Sequence, residues 1–239
     1  MSENGAFVED PRDRLNAVRE RIAQAAVRVG RQPGEVTLVA VSKTFPAAHV
    51  LKFASHGQLV FGENRVQEAK QKIPEITGAW SGEPLTWRLV GHLQRNKVKQ
   101  ALDLFDQIDG VDSLRLLKTV AAEATRRGYT VPVLIQFNCS GEATKSGFDP
   151  ADADAVAEQV SEEQGVELRG VMTIGPLSDD PEAARPAFRS LIAVRDRMAE
   201  RLARPLREVS MGMSHDMEVA IEEGATVVRV GSALFGARA

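Results

Sequence analysis

Residues 113–137 read SLRLLKTVAAEATRRGYTVPVLIQF, and this stretch contains the repeating unit that decides the fold class. Its first half spaces apolar residues three and four apart, which is typical of a helix with one buried face: Leu114, Leu117, Val120, Ala121 and Ala124. Ser113 is a favourable N-cap and Gly128 a favourable stop for this helix. Val131–Phe137 is then apolar on both faces, as expected of a parallel strand covered on both sides.

The same alternation of helix and strand continues toward both ends of the chain. The predicted strands are Val36–Val41, Leu59–Phe61, Trp87–Val90, Phe105–Ile108, Val131–Phe137, Leu168–Ile174, Arg207–Met211 and Val227–Val230. The helical segments between them are Pro46–His56, Asn64–Lys72, Leu93–Leu104, Ser113–Arg127, Pro150–Glu163, Pro181–Leu202 and His215–Glu223. A further helix precedes the first strand, with an apolar stripe formed by Leu15, Val18, Ile22, Ala25 and Val29.

Eight strands that alternate with helices predict an α/β fold, a single (β/α)8 barrel of the TIM type with an extra N-terminal helix. A doubly wound open sheet is the alternative, because alternation alone does not show closure. No linker divides the chain, although 76–84 and 174–180 are predicted to be longer polar loops. We therefore expect one domain over residues 1–239, with its core at about residues 11–236.

Composition excludes several classes of partner. The 33 acidic and 30 basic residues give a net charge of −3, which offers no electrostatic reason to expect nucleic acid or an anionic membrane. The polar stretch Met1–Asp10 lacks the features of a signal peptide, and no apolar run approaches the ~20 residues that span a bilayer. The single cysteine, Cys139, suits a reducing compartment. We expect a cytoplasmic monomer.

The first strand ends in Val39-Ala40-Val41-Ser42-Lys43-Thr44. Barrel proteins place reactive groups at the C-terminal ends of their strands, so Lys43 is a candidate functional residue. Partial desolvation there would lower the pKa of its ammonium, and the neutral amine could attack an aldehyde. A lysine that reaches out of the strand into solvent is the alternative.

The last strand continues into Arg229-Val230-Gly231-Ser232. Gly231 allows close approach to the backbone, and Ser232 could open a short helix whose N–H groups face an anion. Arg229 shares the side of the strand on which Gly231 lies and so could project toward the same ligand. The alternatives are an ordinary strand-to-turn Gly-Ser pair and an arginine that pairs with carboxylates inside the barrel.

Polar side chains follow three other predicted strands. Ser210 and Ser214 end the seventh strand, although Ser214 could instead cap the next helix. Asn64 follows the second strand and His92 the third. Together with Lys43 and the end of the last strand, these positions predict five strand ends with polar groups at one mouth.

Metal and nucleophile chemistry is not indicated. His49, His56, His92 and His215 lie in separate segments with no ligand spacing between them, so no metal site is predicted. Cys139 has no evident base beside it. The stretch 141–147, GEATKSG, lacks the order of residues that a phosphate-binding P-loop requires.

Taken together, these segments resemble the pyridoxal 5'-phosphate (PLP) homeostasis proteins, the YggS/PROSC family of alanine-racemase-like barrels. The matching stretches occur in family order from residue 39 to residue 236: Val39–Thr44, Phe61–Asn64, Gly91–Gln94, Gly141-Glu142 with Lys145–Gly147, Gly170–Pro176, Ser210–Ser214 and Arg229–Ser232. Each stretch is weak by itself, but their ordered combination is highly specific.

The resemblance implies that PLP is bound as a Schiff base on Lys43, with Asn64 beside the cofactor and Arg229 facing the pyridine nitrogen. It also implies that the phosphate-binding residues are Ser210, Gly231 and Ser232, with Ser214 and His92 as further cofactor contacts. Two positions depart from the family pattern: Phe45 stands where many relatives carry a second lysine, and Thr144 replaces a common serine.

The resemblance implies a carrier of PLP in vitamin B6 homeostasis, with PLP-dependent apoenzymes as partners. A carrier without turnover is favoured because the sequence given has no β domain after the eighth strand, and its only tyrosine, Tyr129, precedes a strand at the bottom of the barrel. A PLP-dependent amino-acid racemase or decarboxylase is the second hypothesis. A third is an aldolase that uses Lys43 without PLP.

Overall fold

The computed structural model describes residues 10–142 and 144–236, and within them parallel strands alternate with helices. The strands are β1 (Thr37–Val41), β2 (Val60–Glu63), β3 (Thr86–Leu89), β4 (Gln107–Val111), β5 (Val131–Gln136), β6 (Val166–Met172), β7 (Glu208–Ser210) and β8 (Val227–Val230). The helices are α1 (Pro11–Arg28), α2 (Ala47–Ser55), α3 (Val66–Ala79), α4 (Val98–Ala101), α5 (Leu114–Arg127), α6 (Ala153–Glu162), α7 (Arg185–Arg201), α8 (Met217–Glu222) and α9 (Ser232–Phe235). Residues 1–9, Ala143 and 237–239, which the predicted domain includes, lie outside the described residues.

The sheet closes into a barrel in which each strand pairs with the next along the chain and β8 pairs with β1. The closing pair is parallel and runs in register from Thr37 opposite Val227 to Ala40 opposite Val230. Closure excludes the open doubly wound sheet. The predicted (β/α)8 barrel with an extra N-terminal helix is confirmed.

The extra helix, α1, begins where the sequence supplies its start signals. The Asp10 side chain accepts a hydrogen bond of 2.8 Å from the Arg12 N–H, and Pro11 occupies the first turn. The predicted apolar stripe is buried from Leu15 to Ala25, where α1 packs on α8 and α9, whereas its last member, Val29, is exposed because it lies at the C-cap beyond the helix. Arg21 on its other side donates to the carboxylate of Glu218 at 2.6 Å and so fastens α1 to α8.

Apolar side chains fill the layer between the strands and the helices. A second, smaller apolar cluster in the barrel consists of Val39, Val41, Val90 and Val227.

The barrel also buries an ion pair between Arg88 and Asp109. Arg88 donates to Asp109 at 3.0 Å and to Glu208 at 2.6 Å, so the buried charges of Arg88 and Asp109 compensate one another.

The helices that differ most from the sequence prediction are α3 and α4. The predicted loop 76–84 is wrong over its first part, because α3 continues through Pro74 to Ala79. Burial of Ile73 and Ile76 on either side of Pro74 offsets the hydrogen bond that proline cannot donate. The predicted helix 93–104 is reduced to a 3₁₀ turn, Arg95–Lys97, and the single turn of α4, because Leu93 is buried while the backbone of Gln94 is extended.

None of the helices in the described part of the chain combines the length and the apolarity that crossing a membrane requires. Within residues 10–142 and 144–236, no group of three or more His, Cys, Asp and Glu side chains is arranged to hold a metal ion.

The carboxylate of Glu123 on α5 predicts a pH dependence of stability. It accepts hydrogen bonds from Arg126 at 2.6 Å and Arg127 at 2.8 Å, and these lower its pKa from 4.5 to about 2. A folded-state pKa below the unfolded one stabilises the protein above the unfolded pKa, and this stability is lost as the pH falls through the folded pKa. Replacing Glu123 with Gln should therefore lower the free energy of unfolding at pH 7, and the difference should vanish as the pH falls from 4.5 to about 2.

Urea unfolding of wild type and Glu123→Gln at a series of pH values measures this difference. High salt should reduce it at neutral pH, because salt screens exposed ion pairs. A difference that persists unchanged down to pH 2 would contradict the assignment.

Candidate functional site

A cavity of about 680 Å³ opens at the C-terminal ends of the strands, the face on which barrel enzymes carry their active sites. Its volume lies within the range of small-molecule and cofactor sites. The residues that line it are Val41, Lys43, Phe45, Asn64, Val90, Ile174, Met213, Ser214, His215, Arg229, Gly231, Ser232 and Gly236. Six of the eight predicted site residues are among them.

Lys43 lies two positions past the end of β1, after Ser42, and lines the cavity. The chain turns sharply after it, because Thr44 has φ of +68°, a left-handed conformation that residues other than glycine rarely adopt. The Thr44 N–H donates to Glu68 of α3 at 3.1 Å, so the strained turn is held by a contact with the neighbouring helix. The conformation of Thr44 and its contact with Glu68 therefore constrain the backbone next to Lys43.

The ends of β1 and β8 lie side by side because the two strands pair. A Cβ atom on Gly231 would lie 3.3 Å from the carbonyl oxygen of Val41, which shows how closely the two backbones approach. Gly231 and Ser232 therefore lie at the same rim as Lys43. An amine and a group of small hydrogen-bond donors face one cavity.

Ser214 accepts hydrogen bonds from this group of donors and does not cap α8 as the sequence alternative had it. Its hydroxyl oxygen accepts hydrogen bonds from the backbone N–H groups of Gly231 and Ala233 at 3.3 and 3.2 Å. The residue at the N-cap of α8 is Asp216. Arg21 of α1 donates to the Ser214 carbonyl at 3.1 Å and fixes this loop from behind.

Arg229 lies almost completely buried in the cavity wall. Its Nη1 donates to the Ser210 hydroxyl at 2.7 Å and its Nη2 to the Thr173 carbonyl at 2.8 Å. Burial lowers the pKa of the Arg229 guanidinium to about 10, against the opposing influence of the Asp109 and Asp216 charges. The guanidinium is therefore still charged at neutral pH and is oriented by two hydrogen bonds.

Ser210 does not line the cavity, in contrast to its predicted role at the phosphate. It is fully buried, and its hydroxyl accepts the hydrogen bond from Arg229. The physical reason is that the Ser210 hydroxyl is buried against the guanidinium of Arg229, and it is Arg229 that lines the cavity. Ser210 orients the arginine.

Asn64 and His92 are separated by the structure. Asn64 lines the main cavity. Its backbone packs closely on Gly91, since a Cβ atom added to Gly91 would lie 2.3 Å from the carbonyl oxygen of Asn64. His92 lies in a neighbouring depression of about 390 Å³ that shares Asn64 with the cavity. Its ring is largely exposed, and its Nδ1 lies 2.6 Å from a carboxylate oxygen of Asp112, a residue that does not line the main cavity.

Several lining residues were not predicted from the sequence. Phe45 stacks on Phe235 of α9 with ring centroids 5.2 Å apart, so the residue that departs from the family pattern forms an aromatic wall. Ile174 and Met213 add apolar surface. His215 also lines the cavity, and its Nε2 lies 2.8 Å from the Asp179 carbonyl. Apolar residues in loops belong to no sequence motif, so their place in the cavity wall could be recognised only from the closed fold.

Two other candidates lie away from this chemistry. Burial raises the pKa of the half-buried Cys139 thiol, which disfavours the thiolate that a nucleophile needs. Tyr129 lies in the turn between α5 and β5, at the N-terminal end of the strands, where its hydroxyl donates to the Leu102 carbonyl at 3.3 Å. It is therefore at the end of the barrel opposite the cavity.

The lining combines apolar walls, one primary amine and several hydroxyl and backbone donors. Apolar walls with a few well-placed polar groups are typical of a small-molecule site. An amine can form a reversible covalent bond with an aldehyde, and adjacent hydroxyl and backbone N–H groups can hold an anionic group. The site is therefore suited to a small, flat carbonyl compound that carries an anion.

Comparison with known proteins agrees with this geometry. Residues 14–239 match the family model of the alanine racemase N-terminal domain. Relatives named pyridoxal phosphate homeostasis protein occur in Aquifex aeolicus and Pseudomonas aeruginosa. The first is 40% identical over 226 residues, which cover 95% of this chain and 97% of that protein. The second is 40% identical over 226 residues, which cover 95% of each chain.

A solved structure shows the same architecture. PipY of Synechococcus elongatus, determined with PLP bound, is 36% identical and has a TM-score of 0.82 over 95% of this chain and 100% of that chain. The fold and the cavity define a barrel of the alanine-racemase N-terminal type. Within that class, the chain belongs to the family of the pyridoxal phosphate homeostasis proteins.

The contact between Ser210 and Arg229 gives a prediction. Replacing Ser210 with Ala leaves one nitrogen of a buried guanidinium without its acceptor, which should lower the free energy of unfolding by about 1.5–3 kcal/mol. Urea denaturation measures the change. Ser161→Ala on α6 is the control, because that exposed hydroxyl bonds to the Glu158 carbonyl in its own helix. Equal stability of the two variants would show that Ser210 does not support Arg229.

Proposed function

We propose that this protein binds PLP reversibly as a Schiff base on Lys43 and serves intracellular PLP homeostasis without catalytic turnover. The observation that carries the proposal is the pairing of β1 with β8, which brings Lys43 and the donors at Gly231 and Ser232 to one rim. The names of the relatives and the PLP-bound PipY structure support it.

The residues that are present fit the cofactor. Val41, Val90 and Phe45 provide apolar surface for an aromatic ring, and the cavity volume suits a ligand of this size. Small side chains and a glycine at the ends of β7 and β8 leave room for a phosphate, and their hydroxyl and N–H groups are suitable donors. In our proposal the hydroxyl groups of Ser214 and Ser232 hold the phosphate beside Gly231, whose N–H donates to Ser214 and whose missing side chain leaves room, and Asn64 lies beside the ring.

Bound PLP supplies an aldehyde, and the protein contributes the amine with which it condenses. Lys43 would hold the cofactor by an imine that water can reverse, which suits storage and release of a reactive aldehyde. Arg229 would face the pyridine nitrogen. Because arginine has donors and no acceptor, this contact favours the unprotonated nitrogen and weakens the ring as an electron sink.

Absence of turnover is supported by the position of the chain's tyrosine, Tyr129. A racemase of the two-base type needs a second acid–base group on the other side of the substrate, and Tyr129 lies at the far end of the barrel. The weak electron sink proposed for Arg229 acts in the same direction. Reversible binding of PLP therefore explains the site without the second acid–base group that two-base racemisation requires.

The proposed partners are PLP and apoenzymes that require it. The cytoplasmic location and the monomeric state remain predictions. An amino-acid racemase or decarboxylase is the second candidate, and one observation favours it: His215 lines the cavity and has a ring nitrogen that can exchange protons. Sustained exchange of solvent deuterium at Cα of an amino acid, abolished by His215→Asn, would replace the carrier proposal with this one.

The proposal predicts the outcome of a change at Lys43. Titrating the wild-type protein with PLP should produce the visible absorption band of an imine. Lys43→Ala should lack the band and bind PLP at least about tenfold more weakly, which corresponds to about 1.4 kcal/mol. Absorption spectroscopy and equilibrium dialysis measure the two effects.

Lys97→Ala is the matched control, because Lys97 lines the neighbouring depression and not the main cavity. This variant should retain the imine band and the wild-type affinity. A Lys43→Ala variant without the band that binds PLP as tightly as the wild type would refute the role of Lys43.

A further inference from the structure

Helix α3 contacts the residues on both sides of Lys43. Lys72 and Glu68 lie four residues apart on this helix and therefore on one face. Lys72 donates to the carbonyl oxygen of Ser42, and Glu68 accepts from the N–H of Thr44. The two backbone groups that flank Lys43 are thus held from the same element. We call the hydrogen bonds that Lys72 and Glu68 make with these groups, together with the bond between Lys72 and Glu63, the α3 contacts.

The contact of Lys72 is part of a buried ion pair. Its Nζ lies 2.7 Å from the Ser42 oxygen and 2.7 Å from Oε1 of Glu63, at the end of β2. The Ser42 hydroxyl donates to the same Oε1 at 2.7 Å. Ser42 and Glu63 are fully buried and Lys72 nearly so. Ser42 is therefore held through both its carbonyl and its hydroxyl.

Stability alone does not explain a charged pair at this place. Lys72 occupies the buried stripe of α3, in which the other members are Val66, Ala69, Ile73 and Ile76. A buried ion pair loses so much solvation that apolar residues of similar volume are often as stable or more so. Burial also raises the pKa of the Glu63 carboxyl, against the charge of Lys72. The pair therefore serves to fix the orientation of the Ser42 peptide, since both of its members contact Ser42.

The contact of Glu68 acts on the other side of Lys43. Thr44 has φ of +68°, a conformation that is unfavourable for a residue with a Cβ and persists only when its surroundings impose it. The hydrogen bond of 3.1 Å from its N–H to Glu68 Oε2 supplies such a constraint. Because Glu68 is only partly buried, its contact can be removed with little disturbance of the core.

We propose that Lys72 and Glu68 are positioning residues for Lys43, which orient its amine toward the cofactor cavity by fixing the peptides on either side. This inference rests on the proposed function, since it concerns the same lysine. The inference concerns the rate at which Lys43 reacts and the orientation of its amine. Loss of the α3 contacts slows the reaction of Lys43 with an aldehyde although neither Lys72 nor Glu68 lines the cavity.

Two variants test the inference with PLP as the probe. Lys72→Met/Glu63→Gln removes both charges of the pair together, so no uncompensated charge stays buried, while the oxygen of the new amide would still accept from Ser42. Glu68→Ala removes the acceptor of Thr44. Misplacement of a reactive group by about 1 Å can cost a hundredfold in rate, so each variant should form the imine about tenfold to a hundredfold more slowly in stopped-flow absorption. Visible circular dichroism of the bound chromophore should change as well.

Matched controls separate positioning from stability. Lys70→Met removes the same charge from an exposed position of α3, and Ile76→Val weakens the packing of the helix without altering the α3 contacts. Both should form the imine at the wild-type rate once folded. Glu68→Gln keeps an acceptor oxygen and should restore most of the rate that Glu68→Ala loses.

The outcomes are distinguishable. If wild type forms an imine and both test variants form it within twofold of the wild-type rate, with unchanged circular dichroism, the inference is overturned and the proposed function stands. If wild type forms no imine on Lys43, the proposed function itself fails. If Lys72→Met/Glu63→Gln does not fold, Glu68→Ala against Glu68→Gln decides alone.

Discussion

The pairing of the first strand with the last is the constraint on which the rest of the structure depends. Lys43 and Ser232 are 189 positions apart in the chain, yet the register of Thr37 with Val227 and of Ala40 with Val230 brings their strand ends together. Neither segment has the chemistry of a site by itself. Closure of the barrel makes one cavity from an amine and a group of small donors.

A second set of contacts fixes the floor and the rim of this cavity from outside it. Arg229 is held by Ser210 on β7 and by Thr173 beyond the end of β6, so its orientation depends on two neighbouring strands. The Ser214 loop is held by Arg21 of α1, which gives the extra N-terminal helix a part in the site. Polar groups that touch no ligand thus determine where the lining groups lie.

Much of the fold could be predicted from the sequence, because strands covered on both faces and helices with one apolar stripe have different periods. Alternation by itself is also compatible with an open sheet, and the pairing of β1 with β8 confirms the closed barrel that was predicted. The end of α3 was misplaced because Pro74 is a local stop signal that burial of Ile73 and Ile76 overrides. Local rules are weak where tertiary packing opposes them.

Positions in the cavity wall were predictable where a residue lies one or two positions past a strand end, as Lys43, Asn64 and Ser232 do. The site was not predictable where a polar side chain bonds to another residue: Ser210 is buried against Arg229, and His92 contacts Asp112 outside the main cavity. Lys72 did carry a signal, a charged residue inside the apolar stripe of α3. Its meaning becomes visible only when β1 and β2 are placed beside that helix.

In the proposed site, Lys43 and the donors after the last strand bind one aldehyde together. Borohydride reduction of the PLP-loaded protein, followed by mass spectrometry of its peptides, measures where the aldehyde is attached. We expect a single reduced pyridoxyl phosphate adduct, on the peptide that contains Lys43. An adduct on another lysine such as Lys97 or Lys145, with Lys43 unmodified, would contradict this assignment.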